Sequence, residues 1–236
     1  MRVAAIQMNS GPDVSANLAL AGRLLQEAAR DGCQIAVLPE NFALMPERGK
    51  DKARYAEQAG EGPIQDFLAE VALGNGLWIV AGSMPLVSPA IGEERVYGAC
   101  PVYDADGQPQ ALYRKIHLFD VDLVDKQESY RESNSMYPGD EVVVVDSPCG
   151  RIGLTICYDL RFPEMFRRLV DDGATVFTVP AAFTVTTGEA HWHTLLRARA
   201  IENLAYVIAP GQYGLSLIHI SEPTRRRLES RFAACG

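Results

Sequence analysis

The stretch RIGLTICYDLRFPE, residues 151–164, raises the question whether Cys157 is a core residue that ends a strand or a nucleophile held at a strand-to-helix turn. An apolar run ends at Cys157, and two charged residues, Asp159 and Arg161, follow at once. Pro163 then gives a helix-start signal, because proline fits the first turn of a helix. The stretch predicts a buried strand, a turn and a helix, with a thiol at the turn.

The composition of the 236-residue chain is that of a globular protein, with 47% hydrophobic residues and a formal net charge of −8. An acidic chain lacks the basic footprint of a nucleic-acid-binding protein. No apolar run approaches the roughly 18 residues that a membrane helix requires, and the first residues lack the apolar core of a secretory signal. We expect no nucleic-acid partner and no membrane contact.

The cysteines are odd in number and scattered, at Cys33, Cys100, Cys149, Cys157 and Cys235. Without C-x-x-C spacing they favour neither a disulfide framework nor a zinc ribbon. We therefore expect a reduced, cytoplasmic protein.

Short apolar runs alternate with segments of helical period. Helices are predicted at about 14–30, from 63 to about 75, from about 163, and from near Glu189 to Asn203. Strands are predicted at VAAIQM (3–8), QIAVLPE (34–40), LWIVAGSM (77–84), VYGACPVYD (96–104), QALYRK (110–115), EVVVVD (141–146), RIGLTIC (151–157), ATVFTVP (174–180) and AYVIAP (205–210). Residues 116–141 read as irregular. The alternation predicts a single layered α/β domain.

Three polar residues follow buried strands directly: Glu40, Lys115 and Cys157. Since the carboxyl ends of strands border the reactive crevice of open α/β sheets, we expect the three side chains to converge. Each has a structural alternative, because cysteine packs in cores, glutamate caps helices and lysine borders sheet edges. The shared position of the three residues favours chemistry.

Such a set suits nucleophilic attack on an amide or nitrile carbon. A thiol with an ordinary pKa of roughly 8.5 needs a base, and the Glu40 carboxylate can take its proton. The positive end of the following helix is expected to favour the thiolate. Lys115 and the backbone N–H of Tyr158 are candidates to stabilise the developing negative charge. A second carboxylate is expected from Glu132 or its neighbour Glu128.

The sequence resembles the nitrilase-like carbon–nitrogen hydrolases. The likeness rests on three motifs in the family's order: LPENF (38–42), YRKIHLFD (113–120) and GLTICYDLRFPE (153–164). It extends from Arg2 to about Tyr213. ESNSMYPGD (132–140) resembles the segment that carries the family's second active-site glutamate, which favours Glu132 over Glu128.

The resemblance implies a fold, an activity and an assembly. The fold would be a four-layer α-β-β-α sandwich, usually in a homodimer, with no metal and no organic cofactor. HLFDVD (117–122) and residues 181–203 look most like the amidase branch that includes deaminated glutathione amidase and ω-amidase. The implied reaction converts a small carboxylate-bearing amide to acid and ammonia through a cysteine thioester, with dicarboxylate monoamides and nitriles as alternative substrates.

The resemblance also implies roles for individual residues. Cys157 would be the nucleophile, Glu40 the base, and Lys115 with the Tyr158 amide the oxyanion site. Glu132 would orient Lys115 or the substrate. Substrate contacts are expected from Phe183, in the segment AAFTVTTGEAHWH (181–193). Arg161, near the site, is a candidate to bind a substrate carboxylate, with a structural role as the alternative.

Three competing interpretations remain. HWH (191–193) suggests a metal, but histidines two apart do not share a helix face, so zinc is not expected. Cys157 with His117 would form a protease-like pair that needs neither Glu40 nor Lys115. A non-enzymatic, nitrilase-like assembly protein with an inert site is the third.

The last segment, LSLIHISEPTRRRLESRFAACG (215–236), departs from the family pattern. We expect a hydrolase domain over residues 1–214 that lacks part of its second sheet, followed by a tail that is not native sequence.

Overall fold

The computed structural model describes residues 1–46, 48–88, 94–123 and 128–214. The helices are α1 (Val14–Arg30), α2 (Pro63–Asn75), α3 (Pro163–Asp171) and α4 (Val185–Asn203). The strands are β1 (Val3–Ala5), β2 (Ile35–Val37), β3 (Trp78–Val80), β4 (Met84–Val87), β5 (Val96–Tyr103), β6 (Pro109–Arg114), β7 (Asp120–Leu123), β8 (Glu128–Arg131), β9 (Val144–Ser147), β10 (Gly150–Leu154), β11 (Val176–Thr178) and β12 (Tyr206–Ile208). Short 3-10 turns cover Gly49–Tyr55, Glu132–Asn134 and Cys157–Arg161.

Two mixed sheets form the centre of the fold. In the first, β1, β2 and β3 are parallel, β5 pairs antiparallel with β3, and both β4 and β6 pair antiparallel with β5. In the second, β10, β11 and β12 are parallel and β9 is antiparallel to β10. Because β6 runs in the same direction as β2, the two strands end at the same edge of the first sheet.

Alternating side chains divide the core into layers, as the period of two in a strand requires. Ile35 and Val37 of β2 pack in one cluster with Ile152 and Leu154 of β10, between the two sheets. Ala36 belongs to a second cluster, which α1 and α2 cover on the other face of the first sheet.

Helix α3 covers the outer face of the second sheet. Phe166 of α3 meets Phe177 of β11 edge-on, with ring centroids 5.0 Å apart. Trp192 of α4 is buried in the same cluster. The layers therefore run helix, sheet, sheet, helix, and the predicted α-β-β-α sandwich is confirmed.

Two elements differ from the sequence prediction. Helix α4 begins at Val185 and not near Glu189, because the Thr184 side chain caps it by accepting from the N–H of Thr187. Residues 116–141 are not wholly irregular, since β7 and β8 form a hairpin there. Exposed side chains of Arg131 and Asp122, paired at 2.8 Å, link its strands.

Of the described residues, no helix is both long and apolar enough to cross a membrane. Residues 215–236 lie outside the described part of the chain, so the expected tail and the boundary at 214 stay predictions.

Candidate active site

Glu40 lies in the turn that follows β2. Its backbone carbonyl accepts a hydrogen bond of 3.0 Å from Nε2 of Gln212, and its Oε2 accepts one of 2.8 Å from the N–H of Ala182. Gly82 packs against this turn with a φ of 64°, and a Cβ there would collide with the carbonyl oxygens of the two residues before Glu40. The turn is thus held by Gly82 and Gln212, and the carboxylate by the backbone N–H of Ala182.

Lys115 follows β6 directly, and its side chain is buried. Its Nζ donates to Oε1 of Glu40 and to both carboxylate oxygens of Glu132, each at 2.9 Å. Oε2 of Glu132 also accepts a 2.6 Å hydrogen bond from the N–H of Phe119, which fixes that carboxylate. Burial alone would lower the pKa of Lys115, but the charges of Glu132 and Glu40 outweigh it and raise the pKa well above 10.5.

Cys157 begins the 3-10 turn Cys157–Arg161 with a φ of 49°, a left-handed value that side-chain-bearing residues rarely adopt. Such a conformation costs about 1–3 kcal/mol and persists only where its surroundings impose it. The N–H of Cys157 donates to the carbonyl of Pro180 at 2.8 Å. Just before it, the N–H of Ile156 donates to the buried carboxylate of Asp159, also at 2.8 Å. These bonds hold the strained turn.

The Cys157 thiol is buried and lines the same pocket as Glu40. Burial, and then the negative charge of Glu40, raise its pKa well above 9.0, although the Lys115 ammonium and the Ala182 N–H lower it. Through its negative charge, Glu40 therefore favours the protonated form of the thiol. Burial and the adjacent carboxylate dominate at this position, and the expected contribution of a helix end stays a prediction.

A buried hydrogen-bond network around Asp159 stabilises the turn Cys157–Arg161. Asp159 accepts hydrogen bonds from the hydroxyl of Tyr113 at 2.7 Å, and its Oδ1 lies 2.7 Å from Nδ1 of His117. The His117 ring stacks on Phe162, with centroids 3.6 Å apart. His117 is thus committed to Asp159, and the structure gives no support to a Cys157–His117 pair.

One pocket of about 360 Å³ contains the sequence-predicted site. Its described lining includes all of the following candidates: Glu40, Lys115, Glu132, Cys157, Tyr158, Arg161 and Phe183. The side chain of Glu128 lies outside the described residues. The predicted side chains do meet, and their catalytic roles remain predictions.

The substrate-side candidates share one wall of this pocket. The Arg161 guanidinium lies 5.6 Å from the ring centroids of both Tyr158 and Phe183. Trp192 packs against Phe183 at 4.9 Å between centroids. This wall combines a cation with aromatic faces, a surface suited to a carboxylate on a short carbon chain.

Sequence reasoning missed a second lysine in the pocket. Lys52 lies on the 3-10 turn Gly49–Tyr55, and its Nζ donates to Oδ1 of Asn41 at 2.9 Å. The polar sequence GKDKARY has neither a strand nor a helix period, so nothing in it marked this lysine. Burial lowers the pKa of Lys52, although the charges of Glu132 and Glu40 oppose that change.

The HWH segment lies on α4. Trp192 is buried and its two neighbours are exposed, with Nδ1 of His191 3.4 Å from the guanidinium of Arg161. Within the described ranges, no group of three or more His, Cys, Asp or Glu side chains is arranged to hold a metal ion.

Two curated relatives match most of the chain. A deaminated glutathione amidase from Yersinia enterocolitica is 43% identical over 212 residues, which are 90% of this chain and 73% of the relative. The omega-amidase NIT2-B from Xenopus laevis is 38% identical over 206 residues, 87% of this chain and 72% of the relative.

Solved structures share the fold. The NitFhit protein of C. elegans superimposes with a TM-score of 0.80 and 34% identity, covering 90% of this chain. The superimposed part covers 51% of the NitFhit chain, about half of its length. An amidase from Nesterenkonia sp. AN1, solved after Michael addition of acrylamide at its active-site cysteine, gives a TM-score of 0.77 and 25% identity, covering 93% of this chain and 82% of its own.

A family comparison covers nearly the whole sequence. Residues 2–229 match the carbon-nitrogen hydrolase family. The match includes the motif residues whose side chains meet in the pocket: Glu40, Lys115 and Cys157. The chain therefore belongs to the carbon–nitrogen hydrolase family.

Proposed function

We propose that this chain hydrolyses the carbon–nitrogen bond of a small carboxylate-bearing amide through a thioester on Cys157. The observation that carries the proposal is that Lys115 donates to both Glu40 and Glu132 at 2.9 Å, in the same pocket that the Cys157 thiol lines. The similarity to relatives named as amidases supports it.

Acylation begins with proton transfer from the Cys157 thiol to the Glu40 carboxylate as sulfur attacks the amide carbon. The carbonyl electron pair moves to oxygen, where the Lys115 ammonium and the Tyr158 N–H donate to it. Among the described residues, no backbone carbonyl accepts from the Tyr158 N–H, so this donor is available. When the intermediate collapses, the carbon–nitrogen bond breaks and Glu40 gives its proton to the leaving nitrogen, which departs as ammonia from a primary amide or as an amine from an N-substituted one.

Deacylation uses the same groups in a second cycle. Glu40, again a carboxylate, takes a proton from water as the water oxygen attacks the thioester carbon. The carbon–sulfur bond then breaks, and the proton on Glu40 returns to the sulfur of Cys157. Glu132 holds Lys115 in position throughout, since it accepts from both Lys115 and the Phe119 N–H.

The substrate carboxylate is assigned to Arg161, with Phe183 beneath the carbon chain. A substrate like that of deaminated glutathione amidase is the first choice, because the most identical relative described above bears that name. Dicarboxylate monoamides, as expected for an ω-amidase, are the second candidate.

Release of ammonia from primary amides, and of the amine from N-substituted amides such as deaminated glutathione, tests the proposal. We expect release from carboxylate-bearing amides, and its loss in Cys157→Ala but not in Cys33→Ala, a matched change at a partly buried thiol elsewhere. Absence of release from every amide, with Cys157 and Cys33 alkylated equally fast, would support the inert assembly protein instead.

We also propose that the chain forms a homodimer and works in the cytoplasm, as the family resemblance implies. Exposed Ile201 and Leu204 at the end of α4 support an apolar contact between copies. The free thiols of Cys33, Cys100 and Cys149 support a reducing compartment. Light scattering is expected to give twice the mass of the chain, and the monomer mass would contradict the dimer.

A further inference from the structure

The pocket carries more positive charge than the reaction needs. Among the described residues that line it, two carboxylates, Glu40 and Glu132, stand against four cationic side chains, although the whole chain has a net charge of −8. Lys115 is held between both carboxylates, and Arg131 pairs with Asp122. Two cations are left that no carboxylate of the described residues pairs with.

These two cations are Lys52 and Arg161. The Lys52 ammonium has three N–H donors. One meets Oδ1 of Asn41 at 2.9 Å, and Sδ of Met136, a weak acceptor, lies 4.0 Å away. Lys52 therefore retains donor capacity at the pocket surface, where it is half-buried.

Lys52 and Arg161 belong to different walls of the pocket. The 3-10 turn that carries Lys52 packs against the turn Glu132–Asn134. Arg161 ends the turn after the nucleophile and contacts α4 through His191. A substrate that met both cations would reach across the pocket, with its scissile amide at Cys157.

We infer that Lys52 is a second carboxylate-binding residue, separate from Arg161, and that the preferred substrate is an amide with two carboxylates. The inference rests on the proposed function, because it concerns the substrate of the same site. A charge-assisted hydrogen bond to a partly desolvated ammonium is stronger than one between neutral groups, so this contact selects among amides. A merely structural lysine would hold Asn41 and make no such selection.

A matched series of side-chain amides distinguishes a carboxylate-binding Lys52 from a merely structural one. The series is N-succinylglutamine with two carboxylates, N-acetylglutamine with one, and the methyl ester of N-acetylglutamine with none. We expect Lys52→Met to raise KM for the first by about 10- to 100-fold, as for loss of a hydrogen bond between charged groups. KM for the methyl ester should change less than about 3-fold. Lys52→Arg should restore most of the preference, and Lys50→Met, at an exposed lysine on the same turn, should change nothing.

An equal rise of KM for all three amides in Lys52→Met would overturn the inference. If that variant does not fold, Lys52→Gln, which keeps an N–H donor but has no charge, carries the same expectation. Should the unmodified protein release ammonia from none of the amides, the proposed function fails, and calorimetric binding of N-succinylglutamate to the unmodified protein and Lys52→Gln then tests the lysine alone. Equal binding to both would overturn the inference.

Discussion

The Nζ atom of Lys115 lies 2.9 Å from Oε1 of Glu40, and the two side chains are only 2% and 7% exposed. Burying an ion pair removes both groups from water, and the attraction between them repays that cost only in favourable geometry. A buried pair is thus weak evidence for stability. It is better explained as a preorganised base and cation in the pocket that the Cys157 thiol lines.

Glu40→Gln tests two effects of this carboxylate, its action as a base and its negative charge beside Cys157. Without a base, kcat should fall by about 10²- to 10⁴-fold. Because the charge of Glu40 contributes to raising the pKa of Cys157, its removal should lower that pKa and move the pH profile of thiol alkylation to lower pH. Ammonia release and iodoacetamide labelling followed by mass spectrometry measure both. An alkylation profile that moves to higher pH would contradict the account.

Lys115→Met should destabilise the fold by about 3–5 kcal/mol, because it leaves the Glu40 and Glu132 carboxylates buried without their cation. The pKa of Lys115 is raised above its ordinary 10.5, so its stabilising effect is complete below 10.5 and is lost only as pH rises through the folded value. Urea unfolding should therefore give the same difference from the unmodified protein at pH 7 and pH 9. A difference that shrinks across this range would refute the assigned pairing.

Asp159→Asn should weaken the turn that holds the nucleophile. Asp159 accepts from Tyr113, His117 and the N–H of Ile156, and it is fully buried. We expect a loss of about 2–4 kcal/mol together with a lower kcat. Tyr113→Phe removes one donor and leaves the others, so denaturant unfolding should give a loss of only about 1 kcal/mol. Equal losses in the two variants would argue against Asp159 as the centre of the network.

Gly82→Ala should damage the turn that presents Glu40. The residue has a φ of 64°, and a Cβ would collide with backbone oxygens of that turn. We expect a thermal midpoint lower by several degrees and reduced ammonia release. Gly74→Ala in α2 is the matched control, because a Cβ there meets nothing within 4 Å and alanine favours a helix. Equal behaviour of the two variants would contradict the packing argument.

The parts of the site that sequence reasoning reached share one physical origin. Glu40, Lys115 and Cys157 each follow an apolar run, and strands that run in the same direction bring their carboxyl ends together. The layers of the sandwich likewise follow from alternating side chains in β2 and β10.

Other features depend on tertiary contacts that no local pattern records. Helix α4 begins early because burial of Thr187 and a cap from Thr184 override the low helix propensity of that segment. The upward shift of the Cys157 pKa depends on burial and on the Glu40 carboxylate, which is 117 positions away in the chain. Lys52 reaches the pocket from a polar turn without periodicity.

The most direct test is to find where the acyl group resides during turnover. An acid-quenched reaction with a cleaved amide, analysed by intact mass and peptide mapping, should reveal the acyl mass on the peptide that contains Cys157, and none in Cys157→Ala. Turnover with the acyl group on another side chain, or undiminished turnover in Cys157→Ala, would contradict the central claim.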